Sequence, residues 1–165
     1  MEDSRGHLPL HLLCGNPHQD ETTAMAILSL LLKKHPESIQ HVNNKGLLPI
    51  HVAAFNKKSP EFFRVLIEAY PGSERIPTNR GVRPMHCACI SNTVDTVEYL
   101  YNLYPDAVDH ATPDSFYPID AAIRSVIDRA ANPGAAADIE FLLDCDPRVK
   151  CQKSRGIRPT LLLAC

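Results

Sequence analysis

The chain has 165 residues, 44% of them hydrophobic and 22% charged, with a formal net charge of −2 at pH 7. That hydrophobic share excludes a disordered chain, the near-neutral charge gives no basic excess to recommend a nucleic-acid partner, and no apolar run reaches the roughly 20 residues of a membrane helix. The polar start Met1-Glu-Asp-Ser-Arg5 carries no apolar signal core, and cysteines 14, 87, 89, 145, 151 and 165 follow no disulfide spacing, so reduced thiols in the cytosol or nucleus are expected.

The first element is announced by Gly6-His-Leu-Pro-Leu-His11. The pattern returns as Gly46-Leu-Leu-Pro-Ile-His51, Gly81-Val-Arg-Pro-Met-His86, Ser115-Phe-Tyr-Pro-Ile-Asp120 and Gly156-Ile-Arg-Pro-Thr-Leu161. Its prolines, at 9, 49, 84, 118 and 159, are spaced by 40, 35, 34 and 41 residues, a period that signals a repeat array. Proline suits the first position of a helix, where the amide has no intrahelical partner to lose. One, four and five residues later stand Leu10, Leu13, Cys14; Ile50, Ala53, Ala54; Met85, Ala88, Cys89; and Ile119, Ala122, Ile123, in each case one apolar helical face.

A second mark alternates with the first: His35-Pro36, Tyr70-Pro71, Tyr104-Pro105 and Asp146-Pro147. Eight, five and four residues before these prolines lie Leu28, Leu31, Leu32; Phe63, Leu66, Ile67; Val97, Leu100, Tyr101; and Ile139, Leu142, Leu143. These are the apolar faces of longer helices that end before their prolines. Each unit therefore reads as turn, short helix, loop, longer helix and turn. The units run over about 6–45, 46–80, 81–114, 115–155 and a partial 156–165, within one array spanning 1–165.

Local signals refine the elements. Ser59-Pro60-Glu61 reads as cap, first position and first-turn acid of a second helix. Asn56, Asn92 and Asn132 stand where first helices must stop, and Asn tolerates the left-handed conformation that ends helices. Small first-helix residues (Ala53, Ala54, Ala88, Ala122) let neighbouring units approach, so the stack is expected to curve with its first helices on the concave side. Asp95, Glu98, Asp138 and Glu140 are expected on solvated faces of second helices. Neither end supplies a polar capping unit, so the chain reads as a piece of a longer protein, with self-association over an open end as the alternative.

The turn and first helix resemble the Thr-Pro-Leu-His-x-Ala signature of ankyrin repeats, whose period is about 33 residues. The likeness covers nearly the whole chain and is sharpest in the units that begin at Gly46 and Gly81. The outer units fit once extra residues are allowed at about 15–22 and 124–137. Tetratricopeptide and HEAT arrays lack the Gly-x-x-Pro-x-His turn. The resemblance implies an all-α, ankyrin-like helical solenoid of about four repeats plus a partial fifth, joined by extended turns or short hairpins. Three departures stand out. The capping threonine is replaced by Leu8, Leu48, Arg83, Tyr117 and Arg158, which removes a bond worth about 1 kcal/mol per unit that some other contact must make good. The glycine ending the second helix is replaced by a His-Pro or Tyr-Pro pair. In the fourth unit Asp120 replaces histidine.

No residue set nominates a reaction. Equivalent histidines in stacked units lie about 8–10 Å apart, too far for a catalytic dyad, and the resemblance gives His11, His51 and His86 a structural role in bonding the turn. His86, Cys87 and Cys89 cannot converge on one ion from a regular helix, and no Gly-rich phosphate loop or nucleophile elbow is present. No cofactor or metal is expected. What the resemblance implies is a monomeric, non-catalytic module that binds a protein or peptide partner through turn tips and the concave first-helix face. On that basis the partner-binding candidates are Lys45, Leu47, Phe55, Asn56, Asn79, Arg80, Val82, Ile90, Ser91, Phe116, Arg124 and Arg155. Arg5, Lys45, Arg80 and Arg155 make the tips basic, and with Arg83 and Arg158 they favour an acidic or phosphorylated partner. The recognition arm of a larger signalling protein or enzyme, and a structural spacer, are the alternatives.

Overall fold

The computed structural model describes residues 2–91, 93–128 and 135–145, the side chains of 126–128 and 135 excepted. The partial fifth unit, Asn92, Asn132, Asp146-Pro147, Cys151, Arg155, Arg158 and Cys165 therefore lie outside the described residues. Four helix pairs follow one another: α1 (Pro9–Gly15) and α2 (Glu21–Lys34); α3 (Pro49–Phe55) and α4 (Pro60–Ala69); α5 (Pro84–Ser91) and α6 (Val94–Leu103); α7 (Pro118–Asp128) and α8 (Ala135–Cys145). All four first helices begin at the marked prolines. Short 3-10 turns at Pro36–Gln40, Ser73–Arg75 and Pro105–Asp109 lead from second helices into the next unit, and no strand occurs among the described residues.

The odd-numbered helices stack on one another in order, with the even-numbered ones packed behind them. The apolar faces meet in one continuous core in which Leu10, Leu28, Ile50, Phe62, Phe63, Leu66, Met85 and Val97 are fully buried. Each such side chain withdrawn from water contributes about 1.5–3 kcal/mol. Ala53, Ala54, Ala88 and Ala122 are also buried, which is what permits the close stacking of α3, α5 and α7.

Polar contacts lace the loops between paired helices. Ser59 caps α4 by accepting the Phe62 amide at 3.2 Å, and its hydroxyl donates to the Glu21 carboxylate one unit earlier. Asp20 caps α2 through the Thr23 amide at 3.0 Å. The buried Lys58 ammonium donates to the Asn16 carbonyl at 2.7 Å, and the Thr96 hydroxyl donates to the Lys58 carbonyl at 3.1 Å, so three successive units are tied through one lysine.

Three local expectations are corrected. Asn56 does not take the left-handed conformation: its φ is −122°, its amide side chain bonds back to the Val52 carbonyl, and Lys57 makes the left-handed step at φ +56°. The last first helix is longer than the short-helix pattern predicts, since α7 continues through Arg124 to Asp128. Asp95, Glu98 and Glu140 are exposed as expected, but Asp138 is fully buried.

Candidate functional site

Each of the four described units opens with a hairpin turn built the same way. Three residues before each turn glycine, or before Ser115, stands a short polar side chain: Asp3, Asn43, Thr78 or Thr112. The Asn43 carboxamide oxygen accepts the amides of Lys45 at 2.9 Å and Leu47 at 3.0 Å. Asp3 does the same for Arg5 and His7, Thr78 for Arg80 and Val82, and the Thr112 hydroxyl accepts the Phe116 amide. The backbone closes each turn, as when the Gly46 amide meets the Asn43 carbonyl at 2.8 Å. These acceptors pin the tips. Sequence reasoning missed them, although the signal was the recurrence of Asp, Asn or Thr at one offset.

Successive tips also lie against one another. The Asn44 amide donates to the Arg5 carbonyl at 3.1 Å, and a Cβ on Gly6 would come within 2.4 Å of the Asn44 side chain. At Gly81, φ is +75° and a Cβ would meet Pro113 Cδ at 2.6 Å. Glycine is required there for both conformation and space.

The missing threonine cap is made good by the histidine three residues on. Nδ1 of His11, His51 and His86 accepts the amide of Leu8, Leu48 and Arg83 at 3.4, 3.2 and 3.3 Å. That leaves Nε2 carrying the proton, and it donates forward along the chain: His11 and His86 reach the next unit, at the carbonyls of Leu47 and Phe116 at 3.1 and 3.2 Å, and His51 reaches the carbonyl of Ile76, in the segment that leads to the next turn, at 3.1 Å. Asp120 keeps the cap half of this arrangement, accepting the Tyr117 amide at 2.8 Å. Burial pushes His51 and His86 down to about 4, and lowers His11, whose ring also lies 5.7 Å from those of His7 and His41. Both nitrogens of each bridging ring are occupied by backbone.

The thiols of Cys14, Cys87 and Cys89 are buried, and desolvation raises all three above the ordinary range, Cys14 to about 12. They fill the core as small apolar groups. Among the described residues no group of three or more His, Cys, Asp or Glu side chains is placed to hold a metal ion.

Four of the candidate binding residues come together in one groove. Lys45, Leu47, Phe55 and Asn56 line a cavity of about 420 Å³ with Ser4, Arg5, His7, Gly15, Asn43, Asn44 and Val52. The groove runs between the first two turn tips and the ends of α1 and α3. Its lining carries two permanent cations and no carboxylate. Asn79 and Arg80 are exposed on the next tip, Val82, Ile90 and Phe116 are half-buried, and Arg124 is exposed on α7. Ser91 is corrected: it is 2% exposed, because α5 lies between α3 and α7 and exposes only Ile90 appreciably. Arg83 does not join the basic row freely, since its guanidinium donates to the Arg75 carbonyl at 3.1 Å.

Among the described residues no helix is long and apolar enough to cross a membrane. Comparison with curated proteins finds no match. The model of the ankyrin repeats (3 copies) family matches residues 24–114, more than half of the chain. Such repeats are in general protein–protein interaction modules and typically non-catalytic. With paired helices, hairpin turns and histidine-capped first helices in register, this chain belongs to the ankyrin repeat family.

Proposed function

We propose that the chain is a non-catalytic binding module, acting as a monomer in the cytosol or nucleus, that holds an acidic segment of a protein partner on its turn tips and first-helix side. The observation that carries this reading is the charge of the groove at the first two tips. Arg5 and Lys45 flank an apolar floor of Leu47, Val52 and Phe55, and the Asp3 carboxylate beside the rim is taken up by the amides of Arg5 and His7. Cations at the rim steer an acidic chain toward the groove, and the apolar floor gives an anchor that water leaves on binding. Arg80 extends the row of exposed cations to the third tip.

The test is affinity capture from source-cell lysate by the wild-type chain and by a Lys45→Glu, Phe55→Ala variant, with circular dichroism as the folding control. A protein retained by the first and lost by the second supports the reading. Its association rate should fall about tenfold on charge reversal at low ionic strength and much less at high salt. Capture that is unaffected by the variant removes this groove as the working surface.

A further inference from the structure

Both carboxyl oxygens of Asp138 are buried without a hydrogen-bond partner, and the residue is 0% exposed. Its place in the repeat is informative. Asp138 precedes Ile139 as Thr96 precedes Val97 in α6 and Phe62 precedes Phe63 in α4, so it occupies the slot of Phe62 and Thr96, both also 0% exposed. That slot faces the preceding unit, because the Thr96 hydroxyl donates across the boundary to the Lys58 carbonyl. An ionised carboxylate has no donor to offer there and meets no counter-charge among the described residues. A protonated one supplies the O–H that Thr96 supplies one unit earlier.

We propose that α8 docks onto the array with Asp138 protonated, and that loss of this proton loosens α8 from α6 and α7. The fourth unit is then a pH-dependent element of the stack.

The surroundings agree. Burial alone raises the Asp138 carboxyl to about 7. From α5 it is faced by the Cys89 thiol, itself held well up by burial and by Asp138. From α6, Tyr101 packs edge-on against Phe141 of α8 with its hydroxyl also raised by burial, while Asp95 and Glu98 are exposed. On α7, Asp120 is engaged by the Tyr117 amide and Arg124 is exposed; on α8 itself Glu140 and Asp144 are exposed. An acid whose native value lies above its ordinary 3.8 holds a proton that the undocked helix has released. Docking is therefore strongest in acid and weakens as pH rises from about 4 to about 7, by about tenfold per pH unit.

Hydrogen exchange of the 135–145 amides, corrected for intrinsic pH dependence, tests this on the whole chain. Between pH 5.5 and 7.0 the opening constant of α8 should rise about 15-fold in the wild type, since the native acid is half ionised at the upper end. It should stay constant in Asp138→Asn and in Asp138→Thr, which installs the residue of α6 and should be the better protected of the two. Equal protection of wild-type α8 at both pH values, no protection at either, or a wild-type pH slope in the variant that retains α8, would overturn the proposal.

Discussion

The imidazole of His51 joins the start of its unit to the end: Nε2 lies 3.1 Å from the carbonyl oxygen of Ile76, 25 residues further along the chain, while Nδ1 takes the amide of Leu48 at 3.2 Å. One neutral ring thus does the work of a helix cap and of a tie to the segment that leads into the next turn, at a site that is 0% exposed. His51→Ala orphans a buried donor and a buried acceptor and leaves a cavity, for an expected loss of about 3 kcal/mol. His51→Gln, whose carboxamide offers one acceptor and one donor, should recover more than half of that. Urea midpoints of the three proteins check the order.

The same rings set the response to acid. His51 and His86 have native values of about 4 against an ordinary 6.5, so the unfolded chain takes up protons first as pH falls. Their contribution is complete above about 6.5 and is lost progressively towards 4, by up to about 1.4 kcal/mol per pH unit for each residue. Asp138 has the opposite slope over an overlapping window, so the measurement belongs in Asp138→Asn protein. Urea unfolding between pH 7 and 5 should show the loss, and adding His51→Gln should remove one residue's share of it. An unaltered slope would place the acid sensitivity elsewhere.

Ser115 sits at φ +59° where the equivalent turn residues Gly6, Gly46 and Gly81 take +73° to +75°. A left-handed L residue is strained by about 1–2 kcal/mol, part of which glycine's greater unfolded freedom offsets. Ser115→Gly should therefore stabilise the chain by about 0.5–1 kcal/mol. Gly81→Ala should destabilise it by more than 2 kcal/mol, as Pro113 occupies the space a methyl group needs. Thermal unfolding of both variants reads the opposite signs.

Lys58 is 4% exposed, and its ammonium is held by the Asn16 carbonyl and lies 5.3 Å from the centre of the Phe62 ring. Lys58→Met keeps the apolar stem and leaves Asn16 unpaired, for a cost of about 1–2 kcal/mol. Thr96→Val removes the tie on the other side of the same residue, and a double-mutant cycle should show coupling, since both bonds meet on Lys58. Additive effects would mean that the two ties act independently.

The architecture was legible because proline marks helix starts through backbone sterics, and apolar residues at i, i+3 and i+4 mark the faces those helices bury. Pro9, Pro49, Pro84 and Pro118 each begin a helix, and α2, α4 and α6 each stop at the residue before His35, Tyr70 or Tyr104. The site was legible only in part. Lys45, Leu47, Phe55 and Asn56 share a groove because the period carries equivalent positions to one side of the stack, but Arg5 and His7 join it through a tip-to-tip contact that spans nearly 40 residues. Ser91 and Asp138 were misplaced for one reason: polarity argues for exposure, whereas both residues occupy slots that neighbouring units cover. The long-range tie from each histidine involves a backbone carbonyl, which leaves no mark in the identity of the residue that supplies it.

The most direct test of the binding reading is the hydrogen-exchange footprint of a captured partner on the intact chain. The groove predicts slowed exchange at residues 43–47 and at 55–56, with little change on the exposed side of α4 and α6 around Arg64 and Glu98. Protection centred on α4 and α6, with the turn tips unchanged, would contradict it.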